Sequence, residues 1–264
     1  MALLDDILAQ KRGEARELDA APSRRPDGWP VRDAVQALAR PPGTPLRLIA
    51  EVKFRSPSAG PMSRALGAAQ RATAYERAGA SMISVLTDRR WFDGSFDDLR
   101  DARSKVSVPV LCKDFVVGAS QIERAWAAGA DAVLLIVRCV PDEGALRVLV
   151  GAARQRGLEP LVEVTDEREL RAALAVGARM IGANARDLSS LAIDTDRAER
   201  VLSAVPHGVV AVHLSGLRDA AAVGRIAATR ADAALVGEAL MKMDDPEALL
   251  GAMVEAARAP ADEK

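Results

Sequence analysis

Eight short apolar runs, each followed by a stretch of helical period, govern what this chain can fold into. They fall at Leu46–Lys53, Met82–Leu86, Val108–Lys113, Ala132–Val137, Pro160–Val164, Met180–Asn184, Val209–His213 and Ala233–Val236. Runs this apolar and rich in β-branched residues are buried on both faces, as strands of a parallel sheet are. The segments ERAGASMISVL, WAAGADAVLLI, LAVGARMIGAN and AATRADAALVG echo one another, each ending a helix and opening every second strand. Gly79, Gly129 and Gly177 stand in them where a left-handed helix cap is needed before the chain turns into the sheet. Eight alternating units in 264 residues predict an α/β fold of the (β/α)8 TIM-barrel type, for which about 250 residues is typical. A doubly wound sheet would use fewer strands, and no G-x-G-x-x-G follows the first one.

The segment 1–45 lies outside this repeat and reads as a helical extension to a barrel spanning 46–258, in a single domain overall. Leu3, Leu4, Ile7 and Leu8 form one stripe of an amphipathic helix over Ala2–Leu18, with charge on its other faces. APSRRPDGWP is a loop, a second short helix is expected over Val31–Leu38, and PPGTP breaks it before the first strand. The acidic start MALLDDILAQ lacks the basic, apolar pattern of a signal peptide, and no apolar run nears the ~20 residues of a membrane span. A cytoplasmic protein with no membrane partner is expected. The formal net charge of −1 offers no basic face for nucleic acid. Two cysteines, Cys112 and Cys139, and two histidines, His207 and His213, are too few and too scattered for a metal site, and both cysteines read as small buried hydrophobes.

In a (β/α)8 barrel the chemistry sits at the C-terminal ends of the strands. There the first strand carries Glu51 and Lys53, the third Lys113, the fifth Glu163, and the sixth Asn184 followed by Arg186. Glu51 and Lys53 are two apart and share a face of their strand. A charge inside a buried sheet is costly unless paired or used. Two lysines and two carboxylates in one low-dielectric mouth can split their pKa values and supply both an acid and a base. Ion pairs that merely tie the barrel together are the plainer reading for any one of them. Four such residues at correct strand ends favour function.

Ser215-Gly216 and Gly237 follow the seventh and eighth strands, where barrels often bind phosphate with backbone N–H groups. Glu238 comes next and must point away from such a site. Candidate apolar walls are Phe92, Phe115, Leu134 and Leu191; two of the chain's four phenylalanines thus lie just past strands two and three. Trp91 is placed to cover the barrel top, and core packing is the alternative for each of these side chains.

These residues carry a resemblance. LIAEVKFRSPSAG resembles the E-[IV]-K-x-x-S-P-S-x-G first-strand signature of indole-3-glycerol phosphate synthases, and ISVLTDRRWFDGSFDDL, VPVLCKDFVV, QIERAWAAGADAVLLIV, LVEVTDEREL and IGANARDL resemble its successive strand motifs in order. The resemblance covers nearly the whole chain. It implies closure of an indole ring from 1-(2-carboxyphenylamino)-1-deoxyribulose 5-phosphate, with loss of carbon dioxide and water, in tryptophan biosynthesis. It implies no metal or organic cofactor and a phosphorylated small-molecule substrate as partner; a monomer or weak homo-oligomer is expected. By position, Lys113 would be the general acid for ring closure, and Lys53 would hold the substrate carboxylate and serve in dehydration. Glu51 and Glu163 would act as bases or stabilise charge on the anilino nitrogen, and Asn184 would orient the substrate. Ser56, Ser215, Gly216 and Gly237 would hold the phosphate.

The chain departs from the family pattern where S-E-S-G becomes His213-Leu214-Ser215-Gly216, removing a pocket carboxylate. It also departs where INNRDL becomes GANARDL, and where an aromatic becomes Ala34. Alternatives are a paralogue acting on a modified substrate, a degenerate barrel that only binds, and a phosphoribosylanthranilate isomerase. The last would want a cysteine at the end of strand one, where Glu51 and Lys53 stand.

Overall fold

The computed structural model describes residues 3–18 and 24–258; Ala2 and the first residues of APSRRPDGWP lie outside the described residues. Eight parallel strands close on themselves: β1 (Arg47–Val52), β4 (Met82–Leu86), β5 (Val110–Lys113), β6 (Ala132–Ile136), β7 (Glu159–Val164), β8 (Met180–Asn184), β9 (Val210–Leu214) and β10 (Ala233–Val236). Closure is made by β1, which pairs β4 through Glu51 with Ser84 on one side and β10 through Ile49 with Leu235 on the other. A two-stranded hairpin, β2 (Arg55–Ser56) and β3 (Gly60–Pro61), stands above the first strand. The helices are α1 (Leu3–Leu18), α2 (Ala34–Leu38), α3 (Ala68–Arg77), α4 (Arg89–Phe92), α5 (Phe96–Arg103) and α6 (Ala119–Ala127). They continue with α7 (Glu143–Gln155), α8 (Glu167–Ala175), α9 (Thr195–Ser203), α10 (Ala220–Ala227), α11 (Glu238–Met241) and α12 (Glu247–Ala256). The barrel expected from the eightfold alternation is therefore present.

Several boundaries shift for identifiable reasons. β1 ends at Val52, so Lys53 lies one residue past the strand. β5 begins after Pro109, whose nitrogen has no hydrogen to give a ladder. Val137 opens a 3-10 turn instead of extending β6, and β9 runs on to Leu214. The second helix starts at Ala34, not Val31, because the Asp33 side chain accepts from the Gln36 amide and sets the N-cap there. Asp142, Asp166, Asp194 and Asp219 cap the helices after them in the same way.

The internal echoes have a structural meaning at the opposite end of the barrel from the strand C-termini. Gly79, Gly129 and Gly177 have φ of 100°, 99° and 74°, as a left-handed cap requires. At Gly129 a Cβ would also lie 2.5 Å from the Trp29 ring. The acid of A-G-A-D, Asp131, accepts from the amides of Val110 and Arg32, both at 2.9 Å, and lies 3.3 Å from the Arg25 guanidinium. Asp232 accepts from the amide of Ala211 at 2.8 Å in the corresponding place before β10. Each acid thus splices a strand to the one before it, and Asp131 also ties in the segment that leads up to α2. Cys112 and Cys139 are free and buried.

α1 lies against the barrel with Leu4, Ile7 and Leu8 buried. Its charges are not all on the outer face, as the stripe alone suggested: Lys11 is 2% exposed. Among the described residues no helix is long and apolar enough to cross a membrane.

Candidate active site

A cavity of about 560 Å³ opens at the C-terminal ends of the strands. Every candidate residue drawn from the sequence lines it. Glu51, Lys53, Lys113, Glu163 and Asn184 form its polar floor. Phe92, Phe115, Leu134 and Leu191 form apolar wall, and Ser56, Arg186, Ser215, Gly216 and Gly237 lie on its rim. Leu214 belongs to the same cavity and is buried.

The polar floor is organised around two carboxylates. Glu51 Oε1 is 2.5 Å from Lys53 Nζ, and its Oε2 is 3.9 Å from Lys113 Nζ, so both lysines share one anion. Burial alone would raise the Glu51 pKa, but the charges of Lys53 and then Lys113 outweigh it and hold the carboxyl below the usual range. Glu163 sits across the barrel. Its Oε1 accepts from Asn184 Nδ2 at 2.8 Å, while its Oε2 is buried without a hydrogen-bond partner among the described residues. Here burial wins over Lys113 and Asn184, and the pKa is pushed up. The surroundings therefore push the pKa values of the two carboxylates apart, an arrangement suited to separate acid and base roles. Asn184 is itself oriented, because its Oδ1 accepts from the Arg186 amide at 2.9 Å.

Gly237 is required by this floor. A Cβ there would lie 2.4 Å from Glu51 Oε1 and 3.1 Å from Glu51 Cβ. Its φ of −132° makes no demand for glycine, so the constraint is the close approach of the carboxylate. On the apolar side the Phe92 and Phe115 rings are tilted at 36° with centroids 6.1 Å apart. Leu214 packs over Gly182, where a Cβ would lie 2.5 Å from Leu214 Cδ1.

At the rim, Ser56 Oγ accepts from the Ala59 amide at 3.1 Å, and Ser215 and Gly216 both have left-handed φ, 73° and 86°. Left-handed geometry is uncommon for serine; here the Ser215 carbonyl is engaged by His213 Nε2 at 3.0 Å. Glu238 does not point away, as an anion site seemed to demand. It lines the cavity, but accepts from Lys242 Nζ at 2.7 Å and lies 3.7 Å from Arg186. The hydrogen bond from Lys242 holds it below the usual carboxylate range, and its charge is neutralised by cations instead of being removed from the site.

Leu3, Leu4 and Ile7 of α1 close over the cavity, a contribution that the repeat pattern did not reveal. Lys11 and Asp114, the latter lining the cavity, form a buried ion pair at 2.8 Å. A signal for Lys11 was present: it continues the spacing of Leu4, Ile7 and Leu8 and so falls on the apolar stripe. Trp91 is half-buried, and its indole Nε1 donates to Gln10 of α1 at 2.9 Å.

Comparison with known proteins places this site in context. The family model described as indole-3-glycerol phosphate synthase matches residues 4–253. The chain is 41% identical to indole-3-glycerol phosphate synthase 1 of Streptomyces coelicolor, over 99% of this chain and 98% of that one. It is 44% identical to the indole-3-glycerol phosphate synthase of Mycobacterium ulcerans, over 98% and 96% of the two chains. Among solved structures, 3-hexulose-6-phosphate synthase superposes with a TM-score of 0.65 at 16% identity, over 80% of this chain and 99% of that one. Thiamine phosphate pyrophosphorylase from Pyrococcus furiosus does so with a TM-score of 0.61 at 16% identity, over 80% and 95%. These two structures share the fold.

Proposed function

This chain belongs to the indole-3-glycerol phosphate synthase family, and we propose that the residues of its barrel mouth carry that family's reaction as follows. The enzyme is a carboxy-lyase of tryptophan biosynthesis that converts 1-(2-carboxyphenylamino)-1-deoxyribulose 5-phosphate to indole-3-glycerol phosphate. The aryl carbon bearing the carboxylate attacks the ketone carbon, and Lys113 gives a proton to the ketone oxygen. Carbon dioxide then leaves, returning its electron pair to the ring. The new hydroxyl departs as water with a proton from Lys53, and a carboxylate takes the proton whose loss completes the indole. Glu163, in its ionised form, takes it; the buried Oε2, which has no hydrogen-bond partner among the described residues, supports this role. Glu51 stays ionised, holding both lysines and offsetting positive charge on the anilino nitrogen.

The observation that carries this reading is a pair of carboxylates whose pKa values are pushed in opposite directions, Glu51 down and Glu163 up, beside two lysines in a single cavity. Phe92 and Phe115 supply a surface for the aryl ring. Ser56, Ser215, Gly216 and Gly237 line the rim where the phosphate is proposed to sit, with Arg186 nearby. The route uses only proton transfers by side chains, and so calls on no metal or organic cofactor. We take the protein to act in the cytoplasm as a monomer or weak homo-oligomer.

Mixing purified protein with the anilino-ribulose phosphate and following indole fluorescence tests the reading. Product formation at a rate that Lys113→Ala lowers by ~10²–10⁴-fold is expected. A folded protein that yields no product would overturn it. Leu214 favours a second reading, a paralogue whose substrate bears an apolar group where the family expects a partner for a carboxylate. Side-by-side turnover of ring-substituted substrates decides between the two.

A further inference from the structure

We propose that Lys11 of α1 is a positioning residue of the active site: by bridging Asp88 and Asp114 it fixes the turn that carries Lys113 and Phe115, and holds α1 over the aromatic side of the cavity. The proposal rests on the functional reading above.

The geometry is specific. Lys11 Nζ lies 2.8 Å from Asp88 Oδ2, 2.8 Å from Asp114 Oδ1 and 2.9 Å from Glu14 Oε2. The lysine and both aspartates are at most 5% exposed. An ammonium taken out of water is costly unless it is closely paired, and three carboxylate contacts supply that pairing. Each aspartate in turn orders a turn at the barrel mouth. Asp114 accepts from Thr87 Oγ1 at 2.7 Å and from the Phe115 amide at 2.8 Å, which leaves its side chain one arrangement. Its chain neighbours are Lys113, proposed to protonate the ketone, and Phe115, proposed to hold the aryl ring. Asp88 accepts from the Trp91 amide at 2.6 Å and so sets the short helix that ends in Phe92.

One ammonium therefore joins α1 to the two turns that present Lys113, Phe92 and Phe115. The same helix supplies Leu3, Leu4 and Ile7 to the cavity. A fastening that served stability alone could be apolar, since replacing buried ion pairs with packed hydrophobes is often neutral or better. What distinguishes this one is its place beside the reacting groups, where a misplacement of about 1 Å can cost ~10²-fold in rate.

The test compares Lys11→Met, Lys11→Arg and the double variant Lys11→Met with Asp88→Asn, which removes one of the carboxylates orphaned by the loss of the lysine. Wild-type turnover is established first; if that fails, the functional reading fails, and not this proposal. With an active wild type, Lys11→Met is expected to lower kcat/KM by ~10²-fold through both kcat and KM. Lys11→Arg should recover part of the loss. The double variant should regain thermal stability without regaining kcat/KM. A double variant that folds with wild-type kcat and KM would show that Lys11 only fastens the helix. A measurement on the unaltered protein guards against variants that do not fold. Bound indole-3-glycerol phosphate should increase hydrogen-exchange protection of residues 3–18 and 113–117 together. Unchanged exchange in either segment on saturation would overturn the coupling.

Discussion

Gly237→Ala is the sharpest probe of the proposed site, because its effect follows from one distance. The backbone at 237 has negative φ, outside the left-handed region that favours glycine. Its methyl would lie 2.4 Å from Glu51 Oε1. Ordinary contact needs roughly 1 Å more, so the carboxylate must retreat by a similar amount. That oxygen is the one held 2.5 Å from Lys53, and the other lies 3.9 Å from Lys113. A retreat of this size breaks the first contact and changes the second. A displacement of about 1 Å is associated with ~10²-fold in rate, or about 2.7 kcal/mol of transition-state stabilisation. The assay is steady-state indole fluorescence, with circular dichroism melting to show that the fold survives. Adding Glu51→Asp shortens the side chain and relieves the clash, so the double variant should lose less than the sum of the two single losses. A Gly237→Ala enzyme within about threefold of wild-type kcat/KM would refute the argument that Glu51 is held in a functional position.

Three further outcomes are expected. Lys113→Ala should lose ~10²–10⁴-fold in kcat while KM changes by less than about tenfold, since a proton donor acts in the transition state; near-wild-type kcat would remove Lys113 from that role. Glu163 has a raised pKa, so a base at this position should give kcat/KM an acidic limb above the ordinary glutamate value of 4.5, and Glu163→Gln should abolish the limb. By the same sign, the stability that Glu163 contributes is present in acid and lost as pH rises through the raised pKa. Glu163→Gln should therefore melt higher than wild type at neutral pH by more than it does in acid, and an equal difference at both would contradict the assignment. Leu214→Glu should raise kcat/KM on the anilino-ribulose phosphate if leucine has merely removed a partner, a loss worth ~1–3 kcal/mol, and an unchanged or lower value would mean that the pocket has adapted around leucine.

Much of this protein was legible in its sequence because the relevant signals are local. Strand count, helix period and the glycine caps depend on neighbours in the chain, and the spacing of Glu51 and Lys53 alone sets their shared face. The rule that barrel chemistry gathers at strand ends then brought Lys113, Glu163 and Asn184 into one expected site. Boundaries were less legible, because Asp33 and Pro109 decide them through single hydrogen bonds made or denied. What only the tertiary structure decided concerns charge and close approach. It shows that two lysines face Glu51 while Glu163 keeps a buried oxygen without a partner among the described residues, and that a carboxylate lies against Gly237. It also shows Glu238 neutralised within the cavity, and Lys11, written on an apolar stripe, meeting Asp88 and Asp114 beneath a helix that roofs the site. The physical reason is the same for each. The energy of a charge depends on its burial and on partners far away in the chain, and barrel closure, not local periodicity, sets those distances.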